Sequence, residues 1–187
     1  MPPKPKITRD MIIDASFEIA RNTGAENINA RTVSKKLGCS TQPVMYHFKT
    51  IEELKKAVYV KVDEYHSEYI SGIHSENPIK DIGLNYIRFA EKEKNLFRFL
   101  FQTNEFIGKN IAELINSDEL QPIIAILSKE VEVNIEQAKT IFRSLFLIAH
   151  GYASMFANNE MTYEEQTIVS DLGLVFEGIV YTLKGGL

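Results

Sequence analysis

Apolar residues recur every three or four positions along most of the chain, which is the spacing of one helix face. Near the amino terminus, Ile12, Ala15 and Ile19 stand at i, i+3 and i+7. Thr8 precedes this pattern and Gly24 follows it, and these residue types favour the start and the end of a helix. We therefore predict a first helix between Thr8 and Gly24.

Two shorter helices are predicted next, with a glycine between them. Asn29 is placed to cap a helix that runs to Leu37, and Gly38 ends it. Ser40 or Thr41 then caps a third helix, which starts directly after this glycine. The pattern thus predicts a helix, a tight turn and a second helix.

A fourth, longer helix begins at a T-x-x-E capping box formed by Thr50 and Glu53, and its apolar positions continue to Tyr69. Glycine and proline are scarce, which favours helices elsewhere as well. Further helices are predicted at 78–93, 94–102, 107–116, 119–131, 133–157 and 162–183. We expect an all-α protein of about nine helices, with a three-helix module in residues 1–50 and a larger helical domain in residues 51–187.

The last two predicted helices are apolar around half of their circumference or more. One apolar stripe on each helix is enough to pack against the chain's own core. The additional apolar residues therefore indicate contact with a second copy, in which two helices from each chain form a four-helix interface. The alternative is that the core of this chain takes up all of these side chains. The residues assigned to the dimer interface are Ile148, Tyr152, Val169, Leu172, Phe176, Ile179, Val180 and Leu183.

The charge of the chain is divided unevenly. The net charge is −4, yet residues 1–50 carry eight Lys and Arg against four Asp and Glu, a balance of +4. The remaining residues carry 13 basic and 21 acidic side chains, a balance of −8. A basic surface confined to the first quarter favours nucleic-acid binding there.

The single cysteine, Cys39, excludes an internal disulfide and a multi-cysteine zinc site. The sequence has no run of about 18 uncharged apolar residues and no apolar leader near its start. We expect a cytoplasmic protein that does not bind membranes and that uses neither a cofactor nor a metal.

A helix-turn-helix presents the first side chains of its second helix to base edges in the major groove. Gln42 can donate and accept hydrogen bonds at an adenine edge, and Thr41 can bond a base or touch a thymine methyl group. Lysines around the helix would bind phosphates without sequence preference. The predicted DNA contacts are Thr32, Lys35, Lys36, Ser40, Thr41, Gln42, Pro43, Tyr46, His47, Lys49 and Lys55.

The segment from Asn29 to Leu54, N-A-R-T-V-S-K-K-L-G-C-S-T-Q-P-V-M-Y-H-F-K-T-I-E-E-L, resembles the helix-turn-helix of the TetR (tetracycline-repressor-like) family. The general form of that family is T-V-x-x-I-A-x-x-x-G-V-S-x-x-x-L-Y-x-H-F-x-x-K-E-x-L. Met45 stands where the family has a phosphate-binding tyrosine, and Ile51 stands where it has a lysine. The outright matches are Gly38, Ser40, His47, Phe48, Glu52 and Leu54.

This resemblance implies a homodimer that binds roughly palindromic, double-stranded operator DNA and represses transcription. It also implies that a small hydrophobic effector binds in the C-terminal domain and moves the long fourth helix, which releases the DNA. By default the chain's aromatic series is core packing, but in such a family part of it lines a cavity. The residues assigned to this ligand pocket are Tyr86, Phe89, Phe97, Phe99, Phe101, Phe106, Phe142, Phe146, His150 and Met155.

Two other classes of function compete with this one. A helical enzyme is disfavoured because the sequence has no G-x-S-x-G, H-E-x-x-H, P-loop or G-x-G-x-x-G motif, and its four histidines are scattered. A helical adaptor would use the amino-terminal module to bind protein instead of DNA. His66 and His74 are expected at the surface, so neither adds a catalytic cluster.

Overall fold

The structure is a computed structural model that describes residues 7–73, 75–102 and 110–186. Within these ranges it contains α-helices and short 3-10 turns but no β-strand, which confirms the predicted all-α class. None of the helices there has both the length and the apolar character that a membrane crossing requires. The helices are α1 (Arg9–Thr23), α2 (Ala30–Leu37), α3 (Thr41–His47), α4 (Ile51–Ile70), α5 (Pro78–Lys92), α6 (Lys94–Phe101), α7 (Ile111–Ile115), α8 (Gln121–Val131), α9 (Ile135–Asn158) and α10 (Glu165–Leu183).

Local signals set the limits of the first two helices, as the sequence predicts. The hydroxyl oxygen of Thr8 accepts a hydrogen bond of 3.2 Å from the first turn of α1. The side-chain oxygen of Asn29 accepts the amides of Arg31 and Thr32, each at 3.0 Å. Gly38 ends α2 with φ 64° and ψ 32°, a left-handed conformation that is favourable for a residue without a Cβ.

One half of the predicted capping box at the start of α4 is present, and the other half differs because Glu53 bonds the amide of Lys49 instead of that of Thr50. The hydroxyl oxygen of Thr50 accepts the amide of Glu53 at 3.0 Å, and the Glu53 carboxylate accepts the amide of Lys49 at 3.0 Å. The amide of Glu53 is one of the first-turn donors that the helix itself cannot pair, and Thr50 satisfies it. The turn between α3 and α4 is therefore fixed by side chains as well as by packing.

The buried face of α4 advances by four residues at each step, through Leu54, Val58 and Val62 to His66. His66 is only 7 % exposed. The prediction that it lies at the surface is therefore wrong. Its spacing of four residues from Val62 places it on the buried face of α4 in spite of its polar ring. His74 lies outside the described residues.

The chain forms two compact units. The first comprises Met1–Glu68 with Glu93–Glu105, and the second comprises Tyr69–Lys92 with Phe106–Leu187. In the first unit α1 packs against α2, α3 and α6, whereas in the second α9 packs against α5, α8 and α10. The boundary predicted at residue 50 falls inside the first compact unit, and the division of function between residues 1–50 and 51–187 stays a prediction.

One apolar cluster in the second unit joins α7, α8 and α9. Its fully buried side chains include Ile124, Ala138 and Ile141. Apolar side chains from the last two turns of α10 pack against this cluster. The carboxyl-terminal half of α10 therefore packs on this cluster.

Candidate nucleic-acid interface

Helix α3 is held in place by its apolar side. Val44 and Phe48 are 0 % exposed, as are Val33 of α2 and Ile12 of α1. Helix α3 packs against both α1 and α2. A helix of seven residues is too short to persist alone, so this burial, worth about 1.5–3 kcal/mol for each large side chain, sets its position.

The opposite side of α3 is exposed. Thr41 and Gln42, in the first turn, are exposed, as are Met45 and Tyr46 one turn later. Tyr46 is 82 % exposed, and its ring lies edge-on to that of His47 with 5.2 Å between the ring centres. Pro43 is half-buried in the first turn, where its missing N–H would have had no partner within the helix. An exposed first turn is the arrangement that major-groove recognition needs.

Cationic side chains precede and follow this exposed turn in the sequence. Lys35 and Lys36 are exposed in the last turn of α2, and Lys49 is exposed directly after α3. Lys55 is half-buried in α4. No Asp or Glu occurs between Glu26 and Glu52, so nothing in this stretch of sequence neutralises the lysines. The resulting positive potential favours a phosphate backbone.

Two of the predicted DNA contacts already have partners within the chain. The hydroxyl of Thr32 donates to the carbonyl of Asn27 at 2.7 Å and accepts the amide of Asn29 at 3.2 Å. The Nε2–H of His47 donates to the carbonyl of Ile7 at 3.0 Å. By contrast, Ser40 is exposed and its side chain makes no capping hydrogen bond to α3.

A buried carboxylate joins α1 to the start of α6, and the sequence analysis missed it. Glu93 is 8 % exposed and accepts hydrogen bonds from Arg21 Nε at 2.9 Å and from the Tyr65 hydroxyl at 3.1 Å. The bond to Glu93 raises the pKa of Arg21 above its ordinary value. Asn95 Nδ2 donates to the Arg21 carbonyl at 2.9 Å. These contacts fix the helix that supports α3.

Four of the predicted pocket residues come together in the second unit, on α5 and α9. The hydroxyl oxygen of Tyr86 and Nδ1 of His150 are hydrogen-bonded at 2.8 Å, and burial raises the pKa of the tyrosine and lowers that of the histidine. The ring of Phe146 lies 6.0 Å from that of Tyr86 and 5.7 Å from that of His150. Phe142 stacks on Phe146 at 6.3 Å. The aromatic cluster, as we call it, is therefore Tyr86, Phe142, Phe146 and His150.

The other predicted pocket residues are distributed between the two units. Phe97, Phe99 and Phe101 belong to α6 in the first unit, where Phe97 is completely buried and contacts the ring of Phe101 at 4.9 Å. Phe89 contacts the ring of Tyr69 at 5.3 Å. Met155 is 48 % exposed. Phe106 lies outside the described residues.

Helices α9 and α10 carry exposed apolar side chains that the sequence analysis did not assign to an interface. Leu147 is 53 % exposed and Leu174 is 67 % exposed, and Met155 and Tyr181 are similarly accessible. Of the 19 residues of α10, Ile168 alone is buried. We call Leu147, Met155, Leu174 and Tyr181 the α9–α10 apolar surface.

The eight residues predicted at the dimer interface are instead half-buried in the single chain. Four of them, Phe176, Ile179, Val180 and Leu183, pack against the core cluster of their own unit. The other four are Ile148, Tyr152, Val169 and Leu172. The hydroxyl of Tyr152 donates to the Asp171 carboxylate, which joins α9 to α10. The assignment of these eight residues to an interface stays a prediction.

Two solved structures are similar to this chain over most of its length. The multidrug binding protein EbrR in complex with imidazole has a TM-score of 0.54 and 16% sequence identity, with 89% of this chain and 88% of that chain covered. A TetR variant from Acinetobacter baumannii AYE in complex with minocycline has a TM-score of 0.55 and 11% identity, with 96% and 97% covered. No protein-family profile and no curated protein matches the sequence. At these identities the similarity shows the fold, and the predicted TetR-like fold is thereby confirmed.

Proposed function

We propose that this chain is a TetR-family transcriptional regulator that binds operator DNA as a homodimer and responds to a small effector. The observation that carries the proposal is the exposed first turn of α3, on a helix that the buried side chains of Val44 and Phe48 anchor to the fold. Lysines flank it, and the stretch of chain that forms it has no acidic residue. Two such helices about 34–36 Å apart would enter successive major grooves of one duplex.

The exposed side chains divide into two groups by chemistry. Gln42 and Thr41 lie where base edges would be, since they come first in α3. Lys35, Lys36 and Lys49 would bind phosphates, because an ammonium group is a point charge that any backbone phosphate satisfies. Sequence preference and overall affinity should therefore depend on different residues.

Replacing Gln42 by alanine should abolish base discrimination more than affinity. A bidentate contact to one base pair is worth about 1–3 kcal/mol, so the affinity ratio between a selected duplex and a random one should fall about tenfold or more. Lys36→Ala is the matched change, because both residues are exposed. It should weaken binding to both duplexes alike and reduce the slope of log affinity against log salt by about 0.9.

Fluorescence anisotropy titrations at several salt concentrations measure both quantities. Equal losses on the selected and random duplexes for Gln42→Ala would remove Gln42 from the base contacts. Wild-type binding that does not depend on salt concentration would favour the protein-binding adaptor. If the protein is a helical enzyme, no binding to the duplex is expected. A steep slope for the wild type is expected only from a DNA-binding protein.

We also propose that the effector binds against the aromatic cluster in the second unit. The cluster offers apolar ring faces and one partly buried hydroxyl–imidazole pair between α5 and α9. Such surroundings suit an apolar molecule with a ring and a few polar atoms. The related folds of EbrR and TetR were solved with imidazole and minocycline, which are ring compounds. To release DNA, the effector must bind the released state more tightly than the DNA-bound state.

A thermal-shift screen of apolar ring compounds tests this location. A saturating compound, at about a hundred times its Kd, should stabilise the protein by about 2.7 kcal/mol. Phe146→Ala should lose most of that stabilisation, whereas Phe99→Leu, a buried aromatic change in the other unit, should retain it. Each shift is measured against the same variant without compound. Equal stabilisation of wild type and Phe146→Ala would place the effector elsewhere.

A further inference from the structure

One apolar side chain interrupts the polar exposed face of α3. The exposed residues of this helix are Thr41, Gln42, Met45 and Tyr46. Met45 is the only one of these four whose side chain carries neither a hydroxyl nor an amide group. It is 42 % exposed, so its thioether chain is accessible from outside the fold. The face proposed for DNA therefore combines hydrogen-bonding side chains with one apolar side chain.

Spacing along α3 places Met45 beside the two proposed base contacts. It follows Thr41 by four residues and Gln42 by three, and residues at these separations share one face of a helix. A helix rises about 1.5 Å per residue, so Met45 is displaced from Gln42 by about 4.5 Å along the axis. Consecutive base pairs are about 3.4 Å apart. With α3 in the groove, Met45 would lie within about two base pairs of the pair that Gln42 contacts.

The chemistry of a thioether restricts what Met45 can recognise there. The side chain has no N–H or O–H to donate, and its sulfur accepts only weakly, so it is not a phosphate ligand. Base pairs present hydrogen-bond donors and acceptors in the major groove, and the one apolar group among them is the C5-methyl of thymine. Against any other base, Met45 would cover a donor or an acceptor without bonding it, which costs free energy. Thymine is therefore the base that fits this side chain.

We propose that Met45 is a specificity-determining residue that contacts the methyl group of a thymine in each half-site of the operator. The inference rests on the proposed DNA-binding function and names one base that the operator contains. It adds an apolar contact to the hydrogen bonds expected of Gln42. Thr41 is the competing residue, because it lies on the same face and carries a methyl group of its own.

Deoxyuridine isolates this contact, because it lacks only the C5-methyl group of thymidine. The duplex is one that the full-length wild type selects from a random pool. Each thymine of the half-site is replaced by deoxyuridine in turn, together with its symmetry mate. A lost methyl contact is worth about 0.8 kcal/mol, or about fourfold in affinity, and two half-sites give about fifteenfold. Wild-type affinity should fall by this amount at the thymine that Met45 contacts.

The same pair of duplexes is then compared in variants of Met45. Met45→Ala should bind the thymine and the deoxyuridine duplex about equally, because the apolar partner of the methyl group is gone. Met45→Leu retains an apolar side chain of similar volume and should keep most of the difference. Met161→Ala is the matched control, since Met161 is 44 % exposed in the second unit, and it should show the full difference. Fluorescence anisotropy at one salt concentration measures every affinity.

Thr41→Ser tests the competing residue, because it removes the methyl group of Thr41 and retains the hydroxyl. It should leave the difference at this thymine unchanged. If Met45→Ala still distinguishes every thymine as the wild type does, the proposal is overturned, and a loss in Thr41→Ser would then assign the contact to Thr41. If Met45→Ala weakens all duplexes alike and the wild type is indifferent to deoxyuridine, Met45 packs against deoxyribose and the proposal is equally overturned.

Two checks keep these results separable. Circular dichroism establishes that each variant is folded, and if Met45→Ala is not, Met45→Gln replaces it with a polar side chain of similar length that should also lose the difference. A wild type that selects no sequence and binds without salt dependence would contradict the proposed function itself. A wild type that binds its selected duplex but distinguishes no thymine from deoxyuridine would contradict only the role of Met45.

Discussion

Replacing Leu174 by glutamate is expected to convert the proposed homodimer to a monomer, because we infer that the α9–α10 apolar surface forms its interface. Leu174 is the most exposed large apolar side chain of the α9–α10 apolar surface, at 67 %. In a symmetric dimer the change occurs twice in one interface and places two carboxylates in apolar surroundings. An unpaired buried charge costs several kcal/mol, so the dimer Kd should rise by about a thousandfold or more. Sedimentation equilibrium measures this Kd directly.

The exposure of Leu174 also makes this variant informative about function. A glutamate there is hydrated in the single chain, so the fold should survive while operator affinity collapses to that of one half-site. Ile126→Glu is the control, since Ile126 is 43 % exposed on α8 in the same unit. It should remain dimeric. A dimeric Leu174→Glu protein, or a monomeric wild type, would show that α9 and α10 do not form the interface.

Acidification is expected to destabilise the first unit through His66. Burial lowers the pKa of His66 from 6.5 to about 4, and its ring lies 5.2 Å from that of Phe101. Because the folded-state pKa lies below the unfolded value, the unfolded chain binds more protons between these two pH values. Stability is therefore complete above pH 6.5, falls as the pH drops towards 4, and levels off below it. The loss from this group is about 3 kcal/mol.

Urea unfolding of wild type and His66→Phe between pH 7.5 and 4, followed by circular dichroism, tests this linkage. The variant should lose less stability than the wild type, by about 3 kcal/mol at the acid end. His150, whose pKa burial also lowers, is present in both proteins and cancels in the comparison. Parallel pH profiles would mean that His66 is protonated in the folded protein.

Local chemistry explains why much of the fold could be predicted from the sequence. The caps Thr8 and Asn29 and the left-handed Gly38 act within a few residues of themselves, and each is found as predicted. The exposed and buried sides of α3 follow from spacing in the same way, since Val44 and Phe48 are one turn apart. Features that depend on i, i+3 or i+4 neighbours are visible in a sequence.

Register was the available signal for the feature that was predicted wrongly. His66 follows Val62 by four residues, as Val62 follows Val58, so the buried face of α4 reaches it. The polar character of imidazole suggested the surface, yet a core accommodates a neutral histidine far more readily than a charged one, and the larger cost of the charged form appears on acidification. Periodicity outweighs residue type where a helix has a continuous buried face.

Long-range contacts could not be predicted. Arg21 and Glu93 are 72 positions apart, and nothing near either residue indicates the other. The same is true of the segment Glu93–Glu105, which belongs to the first unit although its aromatic residues suggested a pocket in the second. His47 and Ile7, 40 positions apart, are a further case. Such pairs are decided by tertiary packing, which no local pattern records.

The central claim is that two copies of α3 bind base edges of one duplex. Selection of binding sequences from a random DNA pool, followed by footprinting of the enriched duplex, tests it most directly. We predict an enriched sequence with approximate two-fold symmetry and protected half-sites a whole number of helical turns apart, about 10–10.5 base pairs for each turn. Failure to enrich any sequence, or enrichment of one without two-fold symmetry, would contradict the binding of one duplex by two copies of α3.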